Sequence, residues 1–510
     1  MEDLSLAHPA QEWAPDDGWP TRMAAAEAMI PLIGRLHRQH GVNITVHGRS
    51  LVGASVVGLI KAHRLARRVD GRELSMESSL ELLQVLGRLP LSPAVIDLAR
   101  LTGAGISGED AVREVLTPLE YALAGADRPQ SRRDVVLYGF GRIGRLLARI
   151  LIERGEDPWG LRLRAVVVRP GGGQDLLKRA SLLRRDSVHG RFAGTITVDE
   201  EHNQIQANGT TIQVIYSDDP STIDYRAHGI QDAIVIDNTG RWRDTESLAR
   251  HLASPGAGRV LLTAPGKGAV KNIVHGLNQD TLTGHDRIAS AASCTTNAIA
   301  PVLKAVHEEY GIVRGHVETV HSFTNDQNLI DNFHTGDRRG RSAMLNMVLT
   351  ETGAAKAVAK ALPELDGKLT GSSIRVPTPD VSLAVLHLNL VRPVDKASIN
   401  EYLRQLSMNS PWQDQIDYTD SPEVVSTDFI GTIKTGVVDA RATIAAGDTV
   451  VLYVWYDNER GYCEQVLRVA HTLQGLDRPV LPAKAPANAG RLAEQRQPTD
   501  ERRIVAAAAR

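Results

Sequence analysis

The stretch Asp134-Val-Val-Leu-Tyr-Gly-Phe-Gly-Arg-Ile-Gly-Arg-Leu-Leu-Ala-Arg-Ile-Leu, residues 134–151, decides the fold. An apolar run leads into glycines at 139, 141 and 144, and an amphipathic segment follows, which predicts a strand, a tight turn and a helix. Gly139 permits the turn, Gly141 lets the backbone approach a pyrophosphate, and Gly144 allows close packing, while the helix N-terminus faces the anion. The stretch therefore predicts a dinucleotide-binding turn.

The next predicted strand, residues 161–168, indicates which dinucleotide binds. Folds of this kind usually place an acid at the end of that strand to hold the ribose hydroxyls, but here Arg169 follows it. An arginine can pair with a 2′-phosphate, so the residues favour NADP, whereas Asp175 downstream keeps NAD open. A solvated Arg169 before a turn is an equally good interpretation.

Short apolar segments alternate with helical ones up to about residue 295, a pattern typical of a doubly wound parallel sheet. Further strands are predicted at 211–216, 233–237 and 259–263, with a helix at 245–252. Later segments are longer and partly alternate apolar with polar residues, as antiparallel strands with one covered face do. These strands are predicted at 315–323, 381–392 and 449–456, and a final helix at 462–473.

The first 131 residues have a helical pattern. Met23 to His40 carries apolar residues at amphipathic spacing, and similar segments cover 51–68, 78–89, 94–101 and 108–123. We expect an all-α extension over residues 1–131, whose role the sequence does not reveal. At the other end, residues 479–510 are rich in Ala, Pro and Arg and are expected to be disordered.

Composition limits the possible functions. The chain has 510 residues, which predicts more than one domain, and a formal net charge of -2, which gives no global case for nucleic acid or a membrane as partner. Two cysteines, Cys294 and Cys463, exclude a disulfide framework and a Cys-rich metal site. We find no apolar run of membrane-spanning length and expect a cytoplasmic protein.

Cys294 is the candidate nucleophile. It lies in Ala292-Ser-Cys-Thr-Thr-Asn297, just before a probable helix from 298 to 310. A helix N-terminus has unpaired N–H groups and partial positive charge, which favour a thiolate. From this local argument alone, an inert buried cysteine is still the better interpretation.

Several motifs, in order, resemble those of the glyceraldehyde-3-phosphate dehydrogenase family over about residues 133–478. Besides the glycine turn and the run around Cys294, they include segments that begin at Asp186, Asn238, Val320, Thr352, Leu369, Arg375 and Trp455. The resemblance implies a Rossmann-type NAD(P)-binding domain over 132–295 and 459–478. It also implies an α+β catalytic domain with a mostly antiparallel sheet over 296–458.

By this resemblance, Cys294 is the covalent catalyst and His321 is its base, although His321 alone would be interpreted as a core residue. The implied reaction oxidises glyceraldehyde 3-phosphate with phosphate and NAD(P) to 1,3-bisphosphoglycerate through a cysteine thioester. NADP is favoured over NAD, no metal is expected, and the partners are a phosphorylated aldehyde, inorganic phosphate and copies of the chain in a homotetramer. Erythrose-4-phosphate dehydrogenase is the alternative, and a regulatory or scaffold protein on a dehydrogenase body is another.

The resemblance also assigns binding residues. The cofactor-binding set is Gly139, Gly141, Arg142, Ile143, Gly144, Arg169, Thr239 and Asn458. The substrate- and phosphate-binding set is Ser293, Thr295, Thr324, Arg339, Thr352, Gly353 and Arg375. Arg339 is chosen from three arginines in a loop that could equally be a solvated basic segment. Tyr138 and Arg169-Pro170 depart from the usual residues of the family, which leaves NAD use in doubt.

Overall fold

A computed structural model describes residues 18–106, 108–110, 112–114, 132–155, 157–350 and 352–482. These residues divide into two compact units, which we call the N-terminal unit (18–114 with 479–482) and the main unit (132–478). Within the described residues, no helix is long and apolar enough to cross a membrane.

The N-terminal unit packs helices around a small sheet. Its elements are α1 (Trp19–His40), β1 (Asn43–Val46), β2 (Arg49–Ser50), α2 (Val56–Asp70), α3 (Met76–Leu86), β3 (Val95–Asp97), α4 (Leu98–Gly103) and a C-terminal strand (Val480–Leu481). The apolar face of α1 buries Met29 and Ile33, as its spacing predicts. Gly41 ends the helix in the left-handed conformation that glycine adopts without strain.

Two predictions for this unit need correction. The extension is largely helical but not all-α, because β2, β1, β3 and the C-terminal strand form a four-stranded sheet in that order. Val95–Asp97, predicted to be helical, is therefore a strand, and Val480–Leu481 pairs with it although we expected disorder from residue 479. Both errors concern strands of two or three residues, which are too short to show a period and gain their partners from distant sequence. Residues 483–510 and most of the helix predicted at 108–123 lie outside the described residues.

The first part of the main unit is built on a nine-stranded sheet. Its elements are β4 (Arg133–Tyr138), α5 (Arg142–Glu153), β5 (Leu161–Val168), α6 (Asp175–Arg184), β6 (Arg185–Asp186), β7 (Gly190–Arg191), β8 (Ile196–Asp199), β9 (Gln204–Ala207), β10 (Thr210–Tyr216), β11 (Ala233–Asp237), α7 (Thr245–Ala249), β12 (Ala257–Leu262), β13 (Lys271–Asn272) and β14 (Ile288–Ser290).

The order of this sheet is β13-β14-β12-β11-β4-β5-β10-β9-β8. The strands from β13 to β10 are parallel, and β9 and β8 add an antiparallel edge. The chain leaves β4 toward β5 on one side and returns to β11 on the other. Ligands bind such sheets where the strand order reverses, outside the carboxyl ends of the strands. That point is the end of β4, where the glycine turn lies.

The second part of the main unit packs helices on an eight-stranded sheet. Its elements are α8 (Cys294–Tyr310), β15 (Ile312–Ser322), β16 (Val348–Thr350), α9 (Ala354–Ala361), β17 (Leu369–Val376), β18 (Ser382–Leu390), α10 (Lys396–Met408), β19 (Ile416–Thr419), β20 (Gly436–Asp439), β21 (Ile444–Ala446), β22 (Thr449–Tyr456) and α11 (Arg460–Leu473).

The order of this second sheet is β16-β17-β15-β18-β22-β20-β19, with β21 paired to β22. Only the pairs β15–β17 and β19–β20 are parallel. Residues alternate along β18, where Ala384, Leu386 and Leu388 are buried against α8 and its neighbours. The predicted α/β fold class, with a dinucleotide-binding sheet and a mostly antiparallel second sheet, is confirmed.

Candidate active site

Cys294 is the first residue of α8, after a sharp turn. Ser293 caps the helix, its hydroxyl oxygen accepting the N–H of Thr296 at 3.1 Å. Ala292 has a φ of 55°, which is uncommon for a residue with a side chain, and the hydroxyl of Tyr462 donates to its carbonyl at 3.1 Å. The turn therefore holds the cysteine where the first N–H groups of the helix are unpaired.

The surroundings of the Cys294 thiol have opposing effects on its pKa. Burial raises the pKa, whereas the charge of Arg375 and hydrogen bonds from Thr295 and the Cys294 N–H lower it, and burial prevails. As a whole residue, Cys294 has intermediate exposure. Cys294 is therefore a thiol at rest, and a nearby base is needed to form the thiolate.

His321, on β15, provides such a base. Its Nε2 lies 3.7 Å from the sulfur of Cys294, and its Nδ1 lies 2.7 Å from the carbonyl oxygen of Ser322. Arg375 Nη1 lies 3.0 Å from both that oxygen and Nδ1. Because a carbonyl oxygen can only accept, Nδ1 carries the proton and donates to the Ser322 carbonyl, and Arg375 donates to the same oxygen. The lone pair on Nε2 then faces the sulfur.

Burial and the charge of Arg375 lower the pKa of His321 to about 4. The imidazole is therefore neutral near pH 7 and can accept the thiol proton.

The predicted anion-binding residues fall into groups. Arg375, Thr324 and Arg339 meet around Asp326: Arg375 Nη1 lies 3.4 Å from Thr324 Oγ1, while Thr324 and Arg339 both donate to Asp326. An arriving phosphate would compete with this carboxylate for both donors. The sequence analysis quoted Asp326 in a motif but did not select it.

The other predicted anion ligands lie apart from that group. Thr352 and Gly353 precede α9, where the N–H of Ala354 donates to Thr352 Oγ1 at 3.1 Å. Thr295 Oγ1 lies beside Cys294 and is 3.0 Å from the hydroxyl of Tyr456. Within the described residues, no hydrogen bond joins Thr352 or Gly353 to Arg375.

The glycine turn after β4 has room for a pyrophosphate. A Cβ on Gly144 would lie 2.3 Å from the carbonyl oxygen of Gly139, so these two backbones are in contact. A Cβ on Gly141, by contrast, would have no neighbour within 4 Å, and Gly141 begins α5 without a side-chain cap. Open space and free N–H groups therefore meet at one point, which fits a bound dinucleotide phosphate.

Thr239 and Arg142 lie on two sides of this turn. The N–H and hydroxyl of Thr239 both donate to Asp237 Oδ1 at 2.7 Å, which fixes the loop after β11. The Arg142 guanidinium forms a two-fold ion pair with Glu459 and lies 3.4 Å from Asp186. Since its side chain is paired within the protein, the group that Arg142 offers to a ligand is its backbone N–H at the start of α5.

The remaining cofactor candidates lie at the edges of the cleft. Arg169 follows β5 with an exposed side chain, which has no partner among the described residues. Ile143 packs against the core of the parallel sheet. Tyr138, the departure noted in the sequence, points to the other face of β4 and packs edge-on against Trp242 and His251.

Asn458 lies between β22 and α11 and is buried. Its Oδ1 accepts hydrogen bonds from Ser322 at 2.9 Å and from Ser382 at 2.8 Å. The sequence analysis missed both serines, and their spacing of 60 and more residues from each other and from Asn458 gives no local signal.

Buried acids flank Asn458. Asp380 is fully buried, and neither of its oxygens accepts a hydrogen bond from the described part of the chain. Burial, followed by the charges of Asp457 and Glu459, raises the pKa of Asp380 to about 8. His189 Nε2 lies 3.4 Å from Asp380 but only 3.0 Å from Glu459, which it shares with Arg142. The Asp380 carboxyl is therefore mostly protonated at neutral pH.

The comparisons agree with this arrangement. Residues 133–245 match the family model for the NAD binding domain of glyceraldehyde 3-phosphate dehydrogenase, and residues 293–458 match the model for its C-terminal domain. A "Glyceraldehyde-3-phosphate dehydrogenase-like protein" of Pseudomonas aeruginosa (strain UCBPP-PA14) is 59% identical over 464 residues, which cover 89% of this chain and 100% of the relative.

Two further relatives are enzymes by name. The glyceraldehyde-3-phosphate dehydrogenase of Zymomonas mobilis is 42% identical over 66% of this chain and 97% of its own length. The chloroplastic glyceraldehyde-3-phosphate dehydrogenase GAPB of Arabidopsis thaliana is 39% identical over 74% of this chain and 84% of its own length. The Pseudomonas alignment is longer than the chain from residue 133 to its end, so that similarity extends into the N-terminal unit.

Asp380 predicts a pH-dependent stability. Its pKa is 3.8 in a model compound and about 8 in the fold, so the folded protein retains a proton that the unfolded chain loses. The free energy of unfolding therefore falls as the pH rises from about 4 to 8. Asp380→Asn replaces the acid with a neutral donor and removes this penalty, which is on the order of a few kcal/mol.

We expect the stability gained by Asp380→Asn, measured by urea unfolding, to grow between pH 5 and pH 8. The exposed Asp366, changed to Asn, controls for the loss of a carboxylate at the surface. Parallel stability curves for Asp380→Asn and the wild type would show that Asp380 is ionised throughout.

Proposed function

Because the chain belongs to the glyceraldehyde-3-phosphate dehydrogenase family of NAD(P)-dependent oxidoreductases, which act on aldehydes with phosphate, we propose that it oxidises glyceraldehyde 3-phosphate. The other reactants are inorganic phosphate and NAD(P), the product is 1,3-bisphosphoglycerate, and the reaction is reversible. The observation that carries this proposal is the 3.7 Å approach of His321 Nε2 to the sulfur of Cys294. We also propose a cytoplasmic location on sequence grounds alone.

The two side chains can carry the covalent steps. His321 Nε2 takes the thiol proton as the sulfur of Cys294 bonds to the aldehyde carbon, and it returns that proton to the carbonyl oxygen, which gives a thiohemiacetal. The backbone N–H of Cys294 stabilises the oxyanion during this addition. Nε2 then accepts the hydroxyl proton while the carbon loses hydride, and a thioester results. The bound nicotinamide supplies the hydride acceptor. A phosphate oxygen attacks the thioester, the C–S bond breaks, and the thiolate of Cys294 leaves.

The two phosphate groups of this reaction need two anion sites. We assign one to Arg375, Thr324 and Arg339, since two guanidinium groups and a hydroxyl converge there beside His321. We assign the other to Ser293, Thr295 and the start of α9 at Thr352 and Gly353, where hydroxyls and backbone N–H groups are the donors. Forked hydrogen bonds from arginine bind phosphate oxygens well.

We propose the domain limits given by the sequence: 132–295 with 459–478 for NAD(P), and 296–458 for catalysis. The family models that match residues 133–245 and 293–458 support these limits. The return of α11 to the first domain is supported by packing, since Tyr462, Cys463 and Val466 lie in the core of the parallel sheet.

We propose that the enzyme prefers NADP. Arg169 ends β5, where a ribose 2′-phosphate would lie, and its guanidinium has no partner among the described residues. Asp175, the acid that kept NAD open, is bound by Arg179 at 2.7 Å and hydrogen-bonded to Tyr216. An acid that is already neutralised repels a phosphate less and is less available to ribose hydroxyls.

We propose a homotetramer, as the family resemblance implies. The segment from residue 329 to 349 supports self-association, because it exposes an unusual set of apolar side chains. The most exposed of these are Leu329, Ile330, Phe333, Leu345 and Met347. Exposed apolar side chains that are gathered in one segment are typical of an interface rather than of solvent-facing chain.

The alternative substrate is erythrose 4-phosphate, which a sister enzyme oxidises. Erythrose 4-phosphate differs by one carbon, and the same cysteine, histidine and anion sites would serve it. A non-enzymatic alternative is that the dehydrogenase body serves as a scaffold or regulatory protein. This alternative predicts that loss of the Cys294 thiol has no biological effect.

The first prediction concerns catalysis. Cys294→Ser should abolish phosphate-dependent NAD(P) reduction by glyceraldehyde 3-phosphate, and His321→Asn should lower kcat about 10²–10⁴-fold because the proton acceptor is lost. Both variants should retain cofactor binding. Faster turnover of erythrose 4-phosphate would favour the sister activity, and no turnover of either aldehyde by the wild type would refute a dehydrogenase function.

The second prediction concerns cofactor choice. Arg169→Ala should lower kcat/KM for NADP about 10–100-fold, because a charge-assisted hydrogen bond is worth about 1.5–3 kcal/mol, and should change kcat/KM for NAD little. A second variant, Arg179→Ala, removes the ion pair with Asp175. Because Asp175 is then free to bind ribose hydroxyls, this variant should shift the cofactor preference toward NAD. An NAD preference in the wild type that persists in Arg169→Ala would contradict the proposed preference for NADP.

The third prediction concerns assembly. Phe333→Asp places a charge in the exposed apolar segment and should shift the mass in sedimentation equilibrium from tetramer toward smaller species. Val391→Asp is the matched control, because Val391 is also exposed but lies outside that segment. An unchanged mass for Phe333→Asp, or a monomeric wild type, would contradict the proposal.

A further inference from the structure

The orientation of the Asn458 amide is fixed by two serine hydroxyls. An amide oxygen has two lone pairs, and Asn458 Oδ1 uses both, for Ser322 Oγ at 2.9 Å and Ser382 Oγ at 2.8 Å. The amide nitrogen therefore points away from the serines. Within the described residues, no acceptor bonds to that nitrogen, so both of its hydrogens are available to a ligand.

Ser382 has a defined hydrogen-bond polarity. The backbone N–H of Ser322 donates to Ser382 Oγ at 3.1 Å, so one lone pair of that oxygen is occupied by a group that can only donate. The hydroxyl donates to Asn458 Oδ1 at 2.8 Å. Ser322 and Ser382 are both buried, so water does not replace either hydroxyl.

The backbone before Ser382 is strained, and packing holds it. Val381 has a φ of 62°, a genuine outlier for a β-branched residue. Its side chain is buried against Phe429 and Val437, and Asp380 before it is fully buried. Strained conformations persist only where the surroundings over-determine them, and they cluster at functional sites. The conformation of Val381 thus restricts Ser382 to one position.

We propose that Ser382 is a positioning residue that sets the direction of the Asn458 amide, so that its nitrogen donates to the carboxamide oxygen of a bound nicotinamide. This proposal rests on the proposed function, in which the family resemblance places the Asn458 amide at the nicotinamide, and it adds the group that enforces the direction of that amide. Ser322 also donates to the amide oxygen of Asn458. Of the two serines, however, only Ser382 directly follows the strained Val381. Without the Ser382 hydroxyl, the amide can rotate and offer its oxygen instead.

The test compares ligands with and without nicotinamide. Binding of NADP and of 2′-phospho-ADP-ribose, and in parallel of NAD and ADP-ribose, is measured by calorimetry on the full chain and on Ser382→Ala. We expect Kd for the nicotinamide-containing ligand to rise about tenfold, the value of one neutral hydrogen bond, while Kd for the truncated ligand stays the same. A general structural defect would weaken both ligands together.

A double-mutant cycle links the effect to the amide. In an Asn458→Ala background, Ser382→Ala should cause no further loss of nicotinamide binding, because the group it positions is gone. Equal losses in both backgrounds would overturn the proposal, as would an unchanged ratio of the two Kd values. If Ser382→Ala does not fold, Ser322→Ala must raise the Kd of the nicotinamide-containing ligand relative to that of the truncated ligand for the proposal to stand.

Ser254 provides a matched control. It is as buried as Ser382, donates to the carbonyl of Pro220 at 2.7 Å and accepts the N–H of Ile223 at 3.2 Å, but it lies before β12, at the opposite end from the cofactor cleft. Ser254→Ala should lower stability and leave the ratio of Kd values unchanged. None of these measurements needs turnover, so a failure of the proposed aldehyde oxidation would be seen separately from a failure of this inference.

Discussion

The contact between the sulfur of Cys294 and Nε2 of His321 is the constraint on which the rest of the site depends. The two residues belong to different elements, the N-terminus of α8 and the end of β15, and their atoms must stay 3.7 Å apart. On the cysteine side, Asn297 ties the turn together by donating to the carbonyls of Ala291 and Ser293. On the histidine side, the imidazole is anchored to the carbonyl of the residue that follows it. Neither side chain can move without breaking hydrogen bonds inside the protein.

Backbone strain occurs beside two of the groups that the site must orient. Ala292 precedes the turn to Cys294, Val381 precedes Ser382, and both have positive φ although neither is glycine. Such conformations cost on the order of 1–3 kcal/mol each. At Ala292 the compensation is a hydrogen bond from Tyr462, and at Val381 it is apolar burial next to a protonated Asp380. The unpaired acid and the strained valine are neighbours in sequence, so the fold concentrates two unfavourable features where the amide of Asn458 is fixed.

The sequence predicts what depends on local pattern. The glycine turn after β4, a helix close after Cys294 and the change from parallel to antiparallel strands all follow from spacing over fewer than about twenty residues, although the predicted helix starts at residue 298 and the observed one begins at Cys294. The sequence does not predict contacts between residues that lie far apart along the chain. Arg142 is paired with Glu459, 317 residues away, and Val95–Asp97 becomes a strand only because Asn43–Val46 and Val480–Leu481 lie beside it. No period or motif in a single chain encodes such pairings, so the buried acids and the two serines around Asn458 could not be found beforehand.

The Arg142–Glu459 pair also explains why the glycine turn and the Asp457-Asn458-Glu459 segment belong to one site. Arg142 begins the helix whose N–H groups face the pyrophosphate cradle, and Glu459 follows the amide that faces the other end of the cleft. Asp457 holds the same segment by accepting the N–H groups of Glu459 and Arg460. A partly buried ion pair of this kind is costly to break from one side, because the remaining charge is left unpaired. In the proposed cofactor site, this ion pair therefore joins the helix at the phosphate end to the segment that carries Asn458.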